Sequence, residues 1–366
     1  MDTAFDTQTD DQTPAIPAGA VDCDIHPAAP SKSELLPYLD EYLAESVVQR
    51  GIESIESVHY PPNAPMTVRQ DWRGSSGPGP ALERMQRDVL DGMGVGTAIL
   101  NPLLGVQLLM NEDMGAGFAR GVNDFTAREW LDRDPRLRAS IVVPQQNPQM
   151  AVEEIERCAA DRRFVAVLLL VMGEKPLGKR YYWPIYEAAQ KHGLPIMVHA
   201  GSMYRWGTTG VGWAGSLSQD YAANGVNFQT TLTSLVTEGV FSVHPDLKFV
   251  FAESGFTWLP AFLWRFDKYW VGLRMLIPWV DRLPSEIVAS NIRVTLQPVD
   301  APPDAAILDR VMNQIGSDDL LLFSTDYPHW QFDGDAVIPR GLSDDTIRRM
   351  AIDTPRAVFS RLAVPD

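Results

Sequence analysis

Cysteine is nearly absent from this chain: Cys23 and Cys158 are the two in 366 residues. Neither belongs to a CxxC or a Cys/His spacing, which excludes a disulfide framework and a zinc knuckle. Positive charge is also scarce, with 31 basic residues against 47 acidic and a formal net charge of −16. That balance repels phosphate backbones and anionic lipid, so nucleic acid and membrane surfaces are excluded as partners. An anionic small-molecule substrate is not excluded, because one metal ion or arginine can dominate the field inside a pocket. Long apolar runs are missing too. FVAVLLLVMG, residues 164–173, falls far short of the roughly 20 residues a membrane helix requires. The start, MDTAFDTQTDDQTPAIPAGA, has neither a basic nor an apolar signal region and is read as a flexible tail over residues 1–18. Together these features predict a soluble, cytoplasmic protein.

What is present is material for one large core, since 45% of residues are hydrophobic and 21% charged. Eight β-rich runs recur, at 21–27, 96–103, 138–145, 164–171, 194–201, 247–254, 291–298 and 320–329. Amphipathic stretches such as 80–94, 147–163 and 184–193 separate them, with apolar residues at helical spacing. Several runs are apolar almost throughout, as expected of parallel strands covered on both faces. The pattern predicts an α/β fold, a (β/α)8 TIM barrel, as a single domain over 19–366. Two irregular insertions, 59–80 and 202–229, follow strands one and five, where barrel loops shape pockets. Of the six histidines, His192 stands at a helix end before Gly193 and Pro195, and His244 opens a turn. Both read as structural.

Catalytic groups in such barrels come from the C-terminal ends of several strands. In VDCDIHP, residues 21–27, strand alternation turns Asp24 and His26 to one side. His199 ends strand five, Glu253 strand six and Asp326 strand eight, with His329 three residues on. A strand-end aspartate is ordinarily a cap and a lone histidine is ordinarily satisfied by a neighbour. Five such groups placed on one rim point instead to a metal site. Asn101 after strand two, and Tyr204 and Arg205 after His199, are expected to bind substrate; an arginine there would pair with a carboxylate.

DxH at strand one, VHAG on strand five and STDYPH on strand eight resemble the amidohydrolase superfamily, specifically its amidohydrolase-2 branch. ESGFTWLPAFLWRFD (253–267) and TPRAVFSRL (354–362) extend the likeness over about 21–362. That branch holds metal-dependent hydrolases and decarboxylases, aminocarboxymuconate-semialdehyde and resorcylate decarboxylases among them. The resemblance implies Asp24, His26, His199 and Asp326 as ligands of one divalent ion, with zinc expected ahead of manganese or iron. Asp326 is expected to transfer a proton as well as to bind the ion. Glu253, as a general acid/base, a second-metal ligand or a partner of Arg265 or Arg205, and His329, as a group that orients a ligand, touches substrate or orders its loop, complete the candidate catalytic groups. Glu253 departs from the branch, whose strand six usually ends in histidine. The implied reaction is hydrolysis or nonoxidative decarboxylation of a small organic acid, ester or lactone. The alternative is a subunit of an Mn/Fe monooxygenase of the isobutyrate-hydroxylating type, catalytic itself or a structural, mononuclear-zinc partner of a homologous chain. A homo-oligomer or a hetero-oligomer with such a chain is expected.

Overall fold

Short, almost wholly apolar segments form strands here because both of their faces are covered. In the computed structural model, which describes residues 14–52, 82–201, 212, 215–302, 304–329 and 336–362, eight strands run in chain order. They are β1 (Val21–Ile25), β2 (Thr97–Leu100), β3 (Leu137–Val142), β4 (Phe164–Leu170), β5 (Ile196–His199), β6 (Phe249–Ala252), β7 (Ile292–Thr295) and β8 (Leu321–Leu322). Every residue of β1, β4, β5, β6 and β8 is buried. Each strand pairs in parallel with the next, in the order β1 to β8.

The ring closes between the last strand and the first. Cys23 N–H donates to the Phe323 carbonyl (2.9 Å), His26 N–H to that of Tyr327 (2.8 Å), and Asp326 N–H to that of Asp24 (3.0 Å). Closure removes the exposed sheet edges and brings chain positions 300 apart into contact. Helices cover the outside, among them Glu112–Thr126, Pro148–Cys158 and Trp183–Lys191. Asn111 and Asn147 cap the first two by accepting from the backbone N–H of Met114 and Met150. The expected (β/α)8 barrel is thus the architecture observed.

Two expectations change in detail. The run 320–329 is strand only at Leu321–Leu322, because the chain then turns so that residues 323–327 bond to β1. The insertion 202–229 is not irregular throughout. Helix Leu217–Thr237 begins inside it, capped by Ser216, whose hydroxyl accepts from Gln219 N–H. The segment 59–80 lies outside the described residues. His192 closes helix Trp183–Lys191 and lies 2.8 Å from Glu156, while His244 ends helix Val240–Val243 and lies 2.9 Å from the Gln190 side-chain oxygen. Both are structural, as read from the sequence.

Candidate metal centre

Alternation along β1 sends Asp22, Asp24 and His26 the same way. The pairing with β2 slips between Asp22 and Ile25, a local irregularity of the kind that re-aims side chains at barrel rims. His26 Nε2 lies 3.7 Å from Asp24 Oδ1, 3.6 Å from Glu253 Oε1 and 3.0 Å from Asp326 Oδ1. His199 Nε2, from the end of β5, lies 3.5 Å from Asp24 Oδ1 and 3.6 Å from Glu253 Oε1. All five side chains are buried.

Carbonyl groups fix both rings. His26 Nδ1–H donates to the Asn101 carbonyl (2.9 Å) and His199 Nδ1–H to that of Ala200 (2.6 Å). A nitrogen facing a carbonyl must carry the hydrogen, so each ring turns Nε2 toward the cluster as a ligand atom. Asn101, expected to touch substrate, serves the ligands instead. It is fully buried, its amide nitrogen donates to Asp24 Oδ1 (2.7 Å), and its side-chain oxygen accepts from the Ser140 hydroxyl (2.6 Å). Its hydrogen-bonding atoms are committed within the barrel.

The expected quartet divides into two overlapping groups. The ligand atoms of Asp24, His26, His199 and Glu253 lie within 4.8 Å of one another, and so do those of His26, Glu253, Asp326 and His329. Glu253, not Asp326, joins the first three. Asp326 sits beside His329, whose Nδ1 is 3.2 Å away. Glu253 and Asp326 are also the two described non-glycine residues with positive φ, 59° and 54°. Left-handed backbone costs about 1–3 kcal/mol at such residues and collects at functional sites. This strain separates both carboxylates from ordinary turn formers.

Burial opposes a proton on His26, yet the Asp24 charge and hydrogen bonds with Asp326 and Glu253 outweigh it and raise its pKa well above the imidazole value. His199 is raised in the same way, against burial, by the Glu253 and Asp24 charges. His329 is raised by its bonds with Asp326 and Glu253, against burial and the nearby His26 charge. Against burial, bonds from His26 and His329 hold Asp326 below the carboxylate range. The pocket therefore gathers positive charge around its carboxylates, which is what a cation would supply in place of protons. Asp24 Oδ2 is buried without a hydrogen-bond partner, and the donor set mixes imidazole with carboxylate. Both observations fit a divalent borderline metal.

Sequence reasoning passed over Asp22. It is fully buried and accepts from Thr325 Oγ1–H (2.6 Å), Thr325 N–H (3.1 Å) and Asp24 N–H (3.2 Å). Burial pushes its pKa up to about 7 despite these bonds. It ties the two strand ends that carry Asp24 and Asp326. Its place two residues before Asp24 on the same face was the available signal. Tyr204 and Arg205 lie outside the described residues.

A family profile described as amidohydrolase matches residues 21–361. The chain is 25% identical over 274 residues to a gamma-resorcylate decarboxylase of Polaromonas sp. (strain JS666 / ATCC BAA-500), covering 67% of this chain and 76% of that one. An amidohydrolase from Mycobacterium avium subsp. paratuberculosis K-10 shares the fold with a TM-score of 0.70 at 19% identity, over 94% of this chain and all of that one. A dihydroxybenzoic acid decarboxylase from Polaromonas sp. JS666, solved with bound manganese and the inhibitor 2-nitroresorcinol, gives a TM-score of 0.64 at 20% identity, over 95% and 98% of the two chains. The monooxygenase alternative gains no support from these likenesses.

Proposed function

The chain belongs to the amidohydrolase family, and on that footing we propose that it is a metal-dependent carboxy-lyase that removes CO2 from an aromatic acid without oxidation. The observation that carries this reading is the convergence of Asp24, His26, His199 and Glu253 beside the Asp326–His329 pair. Asp24, His26 and His199 would hold the ion, with Glu253 reaching the same point. When bound, a divalent ion would supply a fixed positive charge that offsets the negative charge of a substrate carboxylate. The donor set suits zinc, the ion expected from the sequence, and manganese, the ion bound in the Polaromonas neighbour.

The chain's own part is to orient and to move a proton. Asn101 and Ala200 hold the imidazoles in one tautomer, so Nε2 is presented without rearrangement. His329 is the most exposed member of the cluster at 9% and shares a hydrogen bond with Asp326. This pair delivers the proton to the ring carbon as that carbon keeps the bonding electrons and CO2 departs. Solvent then returns a proton to His329. We also propose an oligomeric, cytoplasmic enzyme. Trp264, Tyr269, Met275 and Leu276 stand exposed on helix Leu259–Leu273 and the turn after it, a surface that supports assembly and that light scattering would test.

The test is CO2 release from 2,6-dihydroxybenzoate and related hydroxybenzoates by metal-loaded protein. Asp326→Asn is expected to lower turnover by about 10²–10⁴-fold, the usual worth of a proton-transfer group, with metal content retained. No CO2 from any hydroxybenzoate, or full activity in the variant, would sink the reading.

A further inference from the structure

Helix Leu217–Thr237 crosses the rim with an unusual inner face. Asp220, Asn224, Asn227 and Thr231, spaced by four, three and four, are all buried and share one side of the helix. The adjoining stripe of Phe228, Leu232 and Leu235 supplies the apolar packing. The polar stripe is anchored at two points. Asn224 Nδ2–H donates to the Glu253 carbonyl (3.0 Å) just past β6, and Thr231 Oγ1–H to the Val171 carbonyl (3.4 Å) just past β4. Asn227 lies between these two anchors along the helix.

Two buried polar atoms on this stripe have no hydrogen-bond partner: Asn224 Oδ1 and Asn227 Nδ2. A buried polar atom left unpaired by the chain calls for a partner such as an ordered water, an ion or a ligand. The Asn224 amide cannot be turned over, because its nitrogen is needed to donate to the Glu253 carbonyl, so its oxygen is the unmet acceptor. An unmet acceptor on Asn224 and an unmet amide atom on Asn227, on the same stripe, suit a hydroxyl, which both donates and accepts and so meets either amide orientation of Asn227. We infer that the Asn224–Asn227 face is a recognition strip for a hydroxyl substituent of the bound acid. The aromatic nature of that acid rests on the function proposed above; the strip itself rests on the unmet atoms.

Asn227→Leu, close in volume, is the test. Calorimetry on metal-loaded protein would compare 2,6-dihydroxybenzoate with benzoate, and the melting temperature of the ligand-free chain would be read alongside. The strip predicts at least about a tenfold loss of affinity for the dihydroxy acid, unchanged affinity for benzoate, and a melting temperature unchanged or raised, since an unmet polar group has been removed. Equal effects on the two acids, or none on either, would overturn it, as would a melting temperature lowered by several degrees. If the unaltered chain takes up neither acid, the aromatic-acid reading fails; the melting temperature then decides the strip alone, a fall overturning it and any other result upholding it.

Discussion

The two arcs of the barrel rim are built on opposite terms. Around β8, β1, β2 and β3, polar atoms are joined in sequence: Ser140 to Asn101, Asn101 to Asp24, and Asp22 to both Asp24 and Thr325. Among Asp22, Asp24, Asn101, Ser140 and Thr325, the one buried side-chain atom without a partner is Asp24 Oδ2. Across the rim, on helix Leu217–Thr237, which is anchored past β6 and β4, Asn224 and Asn227 each leave a buried atom unmet. A closed network fixes geometry, whereas unmet capacity waits for a ligand. The first arc therefore holds Asp24 and Asn101 in place, while the second, which carries His199 and Glu253, also carries the unmet atoms of the proposed recognition strip.

The contrast breaks most sharply at the shared ligands. His199→Ala and Asp24→Asn are each expected to abolish metal retention after dialysis, a loss exceeding the about 10–100-fold that removing an outer partner causes. Elemental analysis checks this, and retained metal in both variants would refute the assignment. Next comes Asp22→Ala, which strands donors on Thr325 and the Asp24 backbone. Each buried donor left unsatisfied costs about 1–3 kcal/mol. Urea unfolding should show a clear loss of stability, while an unchanged midpoint would mean the first arc is looser than its distances suggest.

The smallest effect is a pH dependence. The pKa values of His26, His199 and His329 are raised in the folded, metal-free chain. The stability they contribute is fully present below the ordinary imidazole value of 6.5 and is lost as pH rises through the raised values. Asp22, raised from 3.8 to about 7, contributes in the same direction across that interval. Asp326, held low, acts oppositely: its contribution is present above 3.8 and lost on acidification below it. Metal-free protein should thus lose stability as pH climbs past neutrality. A bound cation replaces those protons, so the rise in melting temperature on adding manganese should grow over about pH 5–8. A metal-induced shift independent of pH would contradict the donor set.

Much of this architecture was legible along the chain. The apolar runs of β4, FVAVLLL, and β5, IMVH, announce strands buried on both faces, and Pro148 and Asn147 announce a helix start. The rim positions of Asp24, His26, His199 and Asp326 followed from strand ends alone. The role of Asn101 did not, because its residue type suits a substrate contact and an internal bracket equally. The helix from Leu217 was passed over because Gly225 and several Ser, Thr and Asn residues read as loop, although its buried polar positions keep helical spacing.

By itself the sequence determined the alternation that turns Asp22, Asp24 and His26 to one side, and the count of eight strands, because both depend on local periodicity. It also determined the excess of negative charge, 47 acidic residues against 31 basic. Tertiary structure alone decided that His26 meets Asp326 300 positions away, that Glu253 joins His199 and Asp24, and that Asn224 Oδ1 and Asn227 Nδ2 are buried without a hydrogen-bond partner. Those outcomes depend on barrel closure and on how a helix is rolled against the rim, and hydrogen-bond partners are chosen by distance in space, which no spacing along the chain encodes.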